Sequence, residues 1–371
     1  MLGALRFPFE ASRGRRYPEP EHRFRNPFAR DRDRVIHSRA FRRLEAKTQV
    51  FASGISDHFR NRLTHTIEVN QISRTVTRAL ELNEDLAEAL ALVHDIGHPP
   101  FAHAGEKELN RQMLTYGDRF DHNIHALRIV EAFEQRYARF PGLNLTFEVR
   151  EGIVKHSRDF EPGEIPELDE YLPGLRPPLE AQLIDLADEV AYDAADLDDA
   201  FSAGIIEAGL VATHVPAFRE ALDTVETQFP GASERDQFLE VLRVLTDGMV
   251  TGLINGTIEA AHIAGVQDYR EVREHRNRIA RFTPEVEAAT RQIKRFLHEF
   301  VYATPALAED RRGAAERIGT LFRWFVNHPE KLPANFAEAT LSAALQRVVC
   351  DYIAGMTDPY FDRIYREQIP S

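Results

Sequence analysis

Apolar side chains recur along most of this chain at the three-to-four-residue spacing that gathers them on one face of an α-helix. From Thr64 to Leu82 the positions Ile67, Val69, Ile72, Val76 and Leu80 keep close to a repeat of about 3.6 residues. Asn83-Glu84-Asp85 then offers a cap before Leu86-Ala87-Glu88-Ala89-Leu90-Ala91-Leu92-Val93-His94-Asp95, and Gly97 with Pro99-Pro100 ends that helix. Its last turn therefore carries His94 and Asp95 to the mouth of a loop. Further helices are predicted from about Asn123 to Tyr137, from Leu179 through Asp199, from Glu285 to Tyr302 and from Gly313 to Trp324. Residues 158–178, rich in proline and acidic side chains, read as an irregular surface excursion. Leu145-Thr146-Phe147-Glu148-Val149 is the best strand signal, and a helix fits it equally well. There is no internal repeat or low-complexity tract, and the pattern as a whole predicts an all-α bundle.

Composition narrows the class without naming a function. The 371 residues can bury a large core, in one large domain or two, and 43% hydrophobic with 28% charged residues is ordinary for a globular protein. No apolar run approaches the ~20 residues needed to span a bilayer, so no membrane association is expected. The start, Met1-Leu2-Gly3-Ala4-Leu5-Arg6-Phe7-Pro8, lacks a signal-peptide layout. The single cysteine, Cys350, excludes an internal disulfide framework and a cysteine-based zinc site, so a cytoplasmic location is the default expectation. Charge is unevenly distributed. Residues 1–62 hold fifteen Lys or Arg against seven Asp or Glu, about +8, whereas the whole chain carries −13. Such an arm fits an anionic ligand nearby, or equally a solvated, salt-bridged helix face.

The adjacent His94-Asp95 pair is the feature most in need of explanation. A carboxylate and an imidazole in an apolar segment require a strong partner, because burying either one unpaired is costly. A divalent metal ion would satisfy both, and His65 and Asp188 are further ligands of suitable type. Two imidazoles and two carboxylates suit Mn²⁺, Fe²⁺, Co²⁺, Ni²⁺ or Zn²⁺, with Mg²⁺ also compatible. Four protein ligands leave open positions on an octahedral ion for a water and a phosphate oxygen. Arg62 precedes His65 by three residues and can share its helical face, where a guanidinium matches phosphate geometry. His122 and His125, three apart at a helix start, are candidate proton carriers near neutral pH. Asp188, Tyr192 and Asp196 form one stripe at i, i+4 and i+8. His98 and His103 could hold a second ion, but one metal with these two shaping the loop or touching phosphate is the preferred reading. The chain contains no phosphate-binding Gly-x-x-x-x-Gly-Lys-Ser/Thr loop and no Gly-x-Ser-x-Gly nucleophile elbow.

Three segments taken together resemble one family: Arg62-Leu63-Thr64-His65-Thr66-Ile67-Glu68-Val69, His94-Asp95-Ile96-Gly97-His98-Pro99-Pro100-Phe101-Ala102-His103 and Asp188-Glu189-Val190-Ala191-Tyr192. They are similar to the signature segments of the HD-domain deoxyguanosine triphosphate triphosphohydrolase-like proteins. The upstream blocks Arg30 to Leu44 and Lys47 to Phe51 resemble that family's N-terminal region. The resemblance implies an HD-domain helical bundle over residues 63–200, preceded by a basic helical arm (1–62). Connecting helices (201–270) and an HD-associated helical region (271–371) would follow. It implies one divalent ion, Mn²⁺ or Mg²⁺ foremost, held by His65, His94, Asp95 and Asp188. The reaction implied splits a deoxynucleoside triphosphate into the deoxynucleoside and inorganic triphosphate, an activity that controls dNTP pools.

By the same resemblance Arg62 contacts the phosphates and His122 acts as general acid or base, with His125 where some relatives carry a partnering Glu. Tyr192 and Asp196 face the sugar and phosphates, Gln49 touches the sugar edge, and Lys155, in the block Gly152-Ile153-Val154-Lys155-His156, assists phosphate charge. Relatives are often hexameric, several need an activating nucleotide, and some bind single-stranded DNA. The rival readings are an HD nucleotidase or phosphodiesterase, and a nucleic-acid-binding or nucleotide-sensing regulator on the same scaffold.

Overall fold

The computed structural model describes residues 1–50 and 59–369, and over these the chain is all-α. After two short 3₁₀ turns come α1 (Pro27–Ile36), α2 (Arg39–Arg43), α3 (Arg62–Ala79), α4 (Glu84–Val93), α5 (Ala102–Leu114), α6 (His122–Arg128) and α7 (Phe147–Val154). The middle of the chain forms α8 (Leu179–Ser202), α9 (Ala208–His214), α10 (Pro216–Gln228), α11 (Glu234–Ala264) and α12 (Tyr269–Glu274). The C-terminal part forms α13 (Pro284–Phe296), α14 (Pro305–Asn327), α15 (Ala334–Ala339), α16 (Leu345–Ala354) and α17 (Asp358–Gln368). Extended pairing among the described residues is limited to isolated bridges such as Arg15 with Thr146.

Short polar side chains start the helices that matter most. Asn61 caps α3 at Thr64 N (2.9 Å), Asn83 caps α4 at Leu86 N (3.3 Å), and Asp121 caps α6 at Asn123 N and Ile124 N. α4 is then apolar on nearly every side and sits as a central rod packed by α1, α3, α7 and α8. Val69, Val76, Leu86, Val93, Leu183 and Val190 are fully buried there, each contributing about 1.5–3 kcal/mol by leaving water. This large core continues through α10, α11 and α13. A second core lies apart from it, where Leu109, Met113 and Phe120 meet Ile318, Phe322, Phe325, Val349, Ile353 and Phe361. It joins α5 to α14, α16 and α17.

Several sequence expectations need adjusting. Leu145–Val149 is not a strand; α7 begins at Phe147. The helix expected to reach Tyr137 is α up to Arg128 and becomes a π turn at Ile129–Phe133, and Glu285–Tyr302 likewise ends in a π turn at Leu297–Tyr302. The 158–178 excursion is irregular apart from a 3₁₀ turn at Pro166–Tyr171. In the basic arm many arginines are used internally. Arg15 donates to Asp31 and Asn144 O, Arg34 to Glu19, Leu143 O and Asn144 O, and Arg32 to Glu88. The arm thus works largely as an ion-paired seam against the body.

Candidate metal centre and catalytic site

Three helices bring the cluster together. Arg62 and His65 occupy the first turn of α3, and both are buried. His94 and Asp95 lie just past the last residue of α4, with His94 N still bonded to Leu90 O. Asp188 projects from the middle of α8. His94 Nδ1 lies 2.7 Å from Ala91 O, which can only accept, so that nitrogen carries the proton and Nε2 keeps its lone pair. Nε2 is buried and has no hydrogen-bond partner among the described residues, lying 3.5 Å from Asp95 Oδ1 and 3.8 Å from Asp188 Oδ1. His65 Nε2 sits 2.7 Å from the same Asp188 oxygen. One ligand atom each from His65, His94 and Asp188 falls within a 4.8 Å span. An orphaned imidazole nitrogen aimed at carboxylate oxygens in a dry interior is what a bound cation would resolve, so these residues fit a divalent ion.

The electrostatics agree. Burial opposes the charge on Asp95, but Arg62 (Nη1 to Oδ2, 2.8 Å), His94 and His98 together hold its carboxyl well below the ordinary range. Burial likewise opposes Asp188, and the His65 contact reverses it, so that carboxyl is lowered while the His65 imidazole is raised. His94, dominated by burial, is lowered and favours its neutral, ligating form.

A second group faces this one. Gly97 makes the approach: a Cβ there would meet His122 O at 2.0 Å and Ala126 N at 2.6 Å, so only glycine lets this turn press against the start of α6. His98 is thereby placed with Nδ1 3.0 Å from Asp95 Oδ1 and its ring stacked on His122 at 3.9 Å between centroids. His122 Nδ1 lies 2.6 Å from Glu106 Oε1 on α5, and exposed His103 lies 3.4 Å from Glu106 Oε2. Burial raises the Glu106 carboxyl, yet these histidines pull it far below its usual value. Phe101 and Ala102, at φ 60° and 52°, make the left-handed turn that launches α5. The turn is held from the C-terminal region: Asp358 accepts from Phe101 N (3.1 Å) and from Thr48 N (2.9 Å).

At the other side of the cluster, Asp196 is buried and accepts a short hydrogen bond from the Tyr302 hydroxyl; burial pushes its carboxyl up to about 7. The Tyr192 ring lies 6.2 Å from the Tyr302 ring. Gln49 is half-buried, and its Oε1 has no partner among the described residues; Phe51, in the same block, lies outside them.

Two expected site residues face elsewhere. Lys155 gives all three of its ammonium donors away, to Glu151 (2.7 Å), Leu172 O (2.9 Å) and Leu175 O (2.8 Å), and is almost fully buried, so it pins the 158–178 excursion and is not free for phosphate. His125 does not join His122. Three residues leave side chains about 60° apart around a helix, and on α6 that turns His125 toward Phe120, Phe133 and Asp351 (Nδ1 3.7 Å away) in the second core's border. Conversely, Glu106, His156 and Tyr302 belong to the site and were not singled out from sequence.

Comparison with known proteins matches that geometry. Residues 62–193 match the HD domain and residues 280–367 the phosphohydrolase-associated domain. Proteins described as deoxyguanosinetriphosphate triphosphohydrolase-like are similar along nearly the whole chain. That of Azoarcus sp. is 44% identical over 96% of this chain and 93% of its own length, and that of Paracoccus denitrificans 43% over 95% of each. That of Geobacter sulfurreducens is 41% identical over 94% of this chain and 90% of its own.

The chain belongs to the deoxyguanosinetriphosphate triphosphohydrolase-like family.

A member of this HD family is a phosphohydrolase, and HD domains bind divalent metal ions. In this family member the HD-associated region supplies Tyr302 and Asp358 to the site. Among the described residues no helix is long and apolar enough to cross a membrane.

Proposed function

We propose that the chain hydrolyses deoxynucleoside triphosphates to deoxynucleoside and inorganic triphosphate with one divalent ion, Mn²⁺ or Mg²⁺, held by His65, His94, Asp95 and Asp188. The observation that carries this reading is the unpartnered Nε2 of buried His94 facing Asp95 and Asp188, with His122 and Glu106 directly across His98. When bound, the ion would acidify a water and polarise the phosphoryl group.

The chain's own residues do the rest. Water adds to the α-phosphorus while the bond from that phosphorus to the 5′-oxygen breaks, and the leaving oxygen takes a proton. Glu106 orients the His122 ring through Nδ1, which leaves Nε2 to deliver or accept that proton, in the manner of a base held by a third group. Arg62 spends Nη1 on Asp95 and sets its guanidinium beside the cluster, where it would meet a phosphate oxygen. Tyr192 and Tyr302, joined through Asp196, wall the side on which a deoxyribose would lie. A closed wall there excludes a 2′-hydroxyl by leaving it no room.

Product analysis tests the reading. All four dNTPs and rNTPs are incubated with Mn²⁺ or Mg²⁺, singly and in pairs so that an activating nucleotide is not missed. Release of triphosphate and deoxynucleoside supports it; orthophosphate or nucleoside monophosphate as the first product would overturn it.

A further inference from the structure

His156, next to the lysine that sequence singled out, is the residue of its block that faces the metal site. It is buried, its ring 5.4 Å from that of His94. Nδ1 lies 2.6 Å from Asp185 Oδ1, a close charge contact. The opposite nitrogen, Nε2, then faces Asp188 Oδ2 at 3.9 Å, the oxygen that His65 leaves free. Asp185 and Asp188 are three apart on α8 and stand at the two ends of the ring.

The arrangement continues outward. Arg278 donates to the other oxygen of Asp185, to both oxygens of Asp159 (3.1 Å each) and to Lys155 O (2.7 Å). Beside it Ile279 N (2.7 Å) and Ala280 N (3.3 Å) donate to Gln182 Oε1. Gln182, Asp185 and Asp188 succeed one another at three-residue steps, within about 120° around α8, so one side of that helix bears the metal ligand and the anchors of the loop 275–283. We propose that His156 is a positioning residue for Asp188, fixing Oδ2 so that Oδ1 meets the ion, and that Asp185 and Arg278 couple this loop to metal occupancy. The inference rests on the metal reading above and adds a coupling partner to it. Linkage makes the coupling reciprocal: what steadies the loop tightens the metal, and the metal steadies the loop.

The test uses the full chain with Mn²⁺ alone, without nucleotide. Mn²⁺ affinity is measured by calorimetry for wild type, His156→Phe, His156→Gln and Arg278→Ala, with hydrogen exchange followed over 275–283 and thermal unfolding as a folding control. Outer partners of a ligand set typically change metal affinity about 10–100-fold. Losses in that range for His156→Phe and Arg278→Ala, recovery toward wild type in His156→Gln, which retains a donor, and Mn²⁺-dependent protection of the loop in wild type support the proposal. Arg278 is partly exposed, so its variant keeps the test decisive even if His156→Phe does not fold. Wild-type affinity in Arg278→Ala, and in His156→Phe where it folds, with no protection of the loop overturns the coupling alone. Absence of Mn²⁺ binding by wild type overturns the metal reading and the coupling with it.

Discussion

The His65–His94–Asp95–Asp188 cluster and the His122–Glu106 pair face each other across His98, yet they stand on different foundations. The first is carried by α3, α4 and α8, whose apolar faces make the large core. The second is carried by α5 and α6, and α5 rests on the second core with α14, α16 and α17. On the proposed reading, ligand geometry is a property of the HD bundle, whereas the placement of His122 as proton carrier depends on the C-terminal region. That reading makes metal binding and chemistry separable, and mutations should pull them apart.

The largest expected effect falls on the first cluster. His94→Ala should abolish both bound metal and turnover while the far-ultraviolet circular dichroism stays helical; retained activity would refute the site. Asp95→Ala should do the same and also lower Tm, because it strands buried Arg62, a loss of about 3–5 kcal/mol for one half of a buried pair. Next comes the pair itself. His122→Ala should leave Mn²⁺ affinity unchanged and reduce kcat by roughly 10²–10⁴-fold, with Glu106→Gln moving part of the way. An unchanged kcat would make His122 a stacking partner for His98 only.

A core substitution sharpens the contrast. Phe322 is fully buried in the second core, and Phe322→Ala should cost about 3–5 kcal/mol in thermal or denaturant unfolding. Under conditions where the variant remains folded, kcat should fall more than Mn²⁺ affinity. Equal losses would mean that the two foundations are mechanically one.

The smallest effect is a pH slope. The folded-state pKa of Asp196 is raised, to about 7, so between its ordinary value and about 7 the folded protein holds a proton that the unfolded chain has released. Its contribution to stability is therefore full below about pH 4 and declines as pH rises toward 7. Asp196→Asn, which mimics the protonated form, should remove that decline; identical slopes for variant and wild type in denaturant titrations at pH 4 and 7 would show that the carboxyl is charged throughout.

The legibility of the site followed the same division. α3, α4 and α8 announce themselves by apolar stripes, the first two also by Asn caps, and the four proposed ligands lie in motifs on or just past these helices, so sequence reached them. α5 buries Gly105, Glu108, Leu109, Gln112 and Met113. With only two of those a large apolar side chain, no stripe marks the helix, and Glu106 went unnoticed with it. Tyr302 was visible as the end of a predicted helix but not as a site residue, because its partner Asp196 is 106 positions away. Lys155 and His156 are adjacent, and nothing local decides which of them turns inward; the carbonyls of Leu172 and Leu175 and the carboxylate of Asp185 decide it. The π turn that displaces Tyr302 from a regular helix leaves no periodic trace either.

Asp358 bears on when the protein becomes competent, as well as how. Its one carboxylate receives Phe101 N and Thr48 N, fixing the left-handed turn from which His103 and Glu106 rise. In a full-length Asp358→Ala chain, Mn²⁺ binding should persist while kcat falls, the turn having lost its clamp; unaltered kcat would show that the turn holds itself. Since Asp358 follows every other residue of the site in chain order, a growing polypeptide can assemble the ligand cluster well before it can finish the turn. On the proposed reading, competence for chemistry then waits on residue 358, while the residues that would hold the ion have all been made by Asp188.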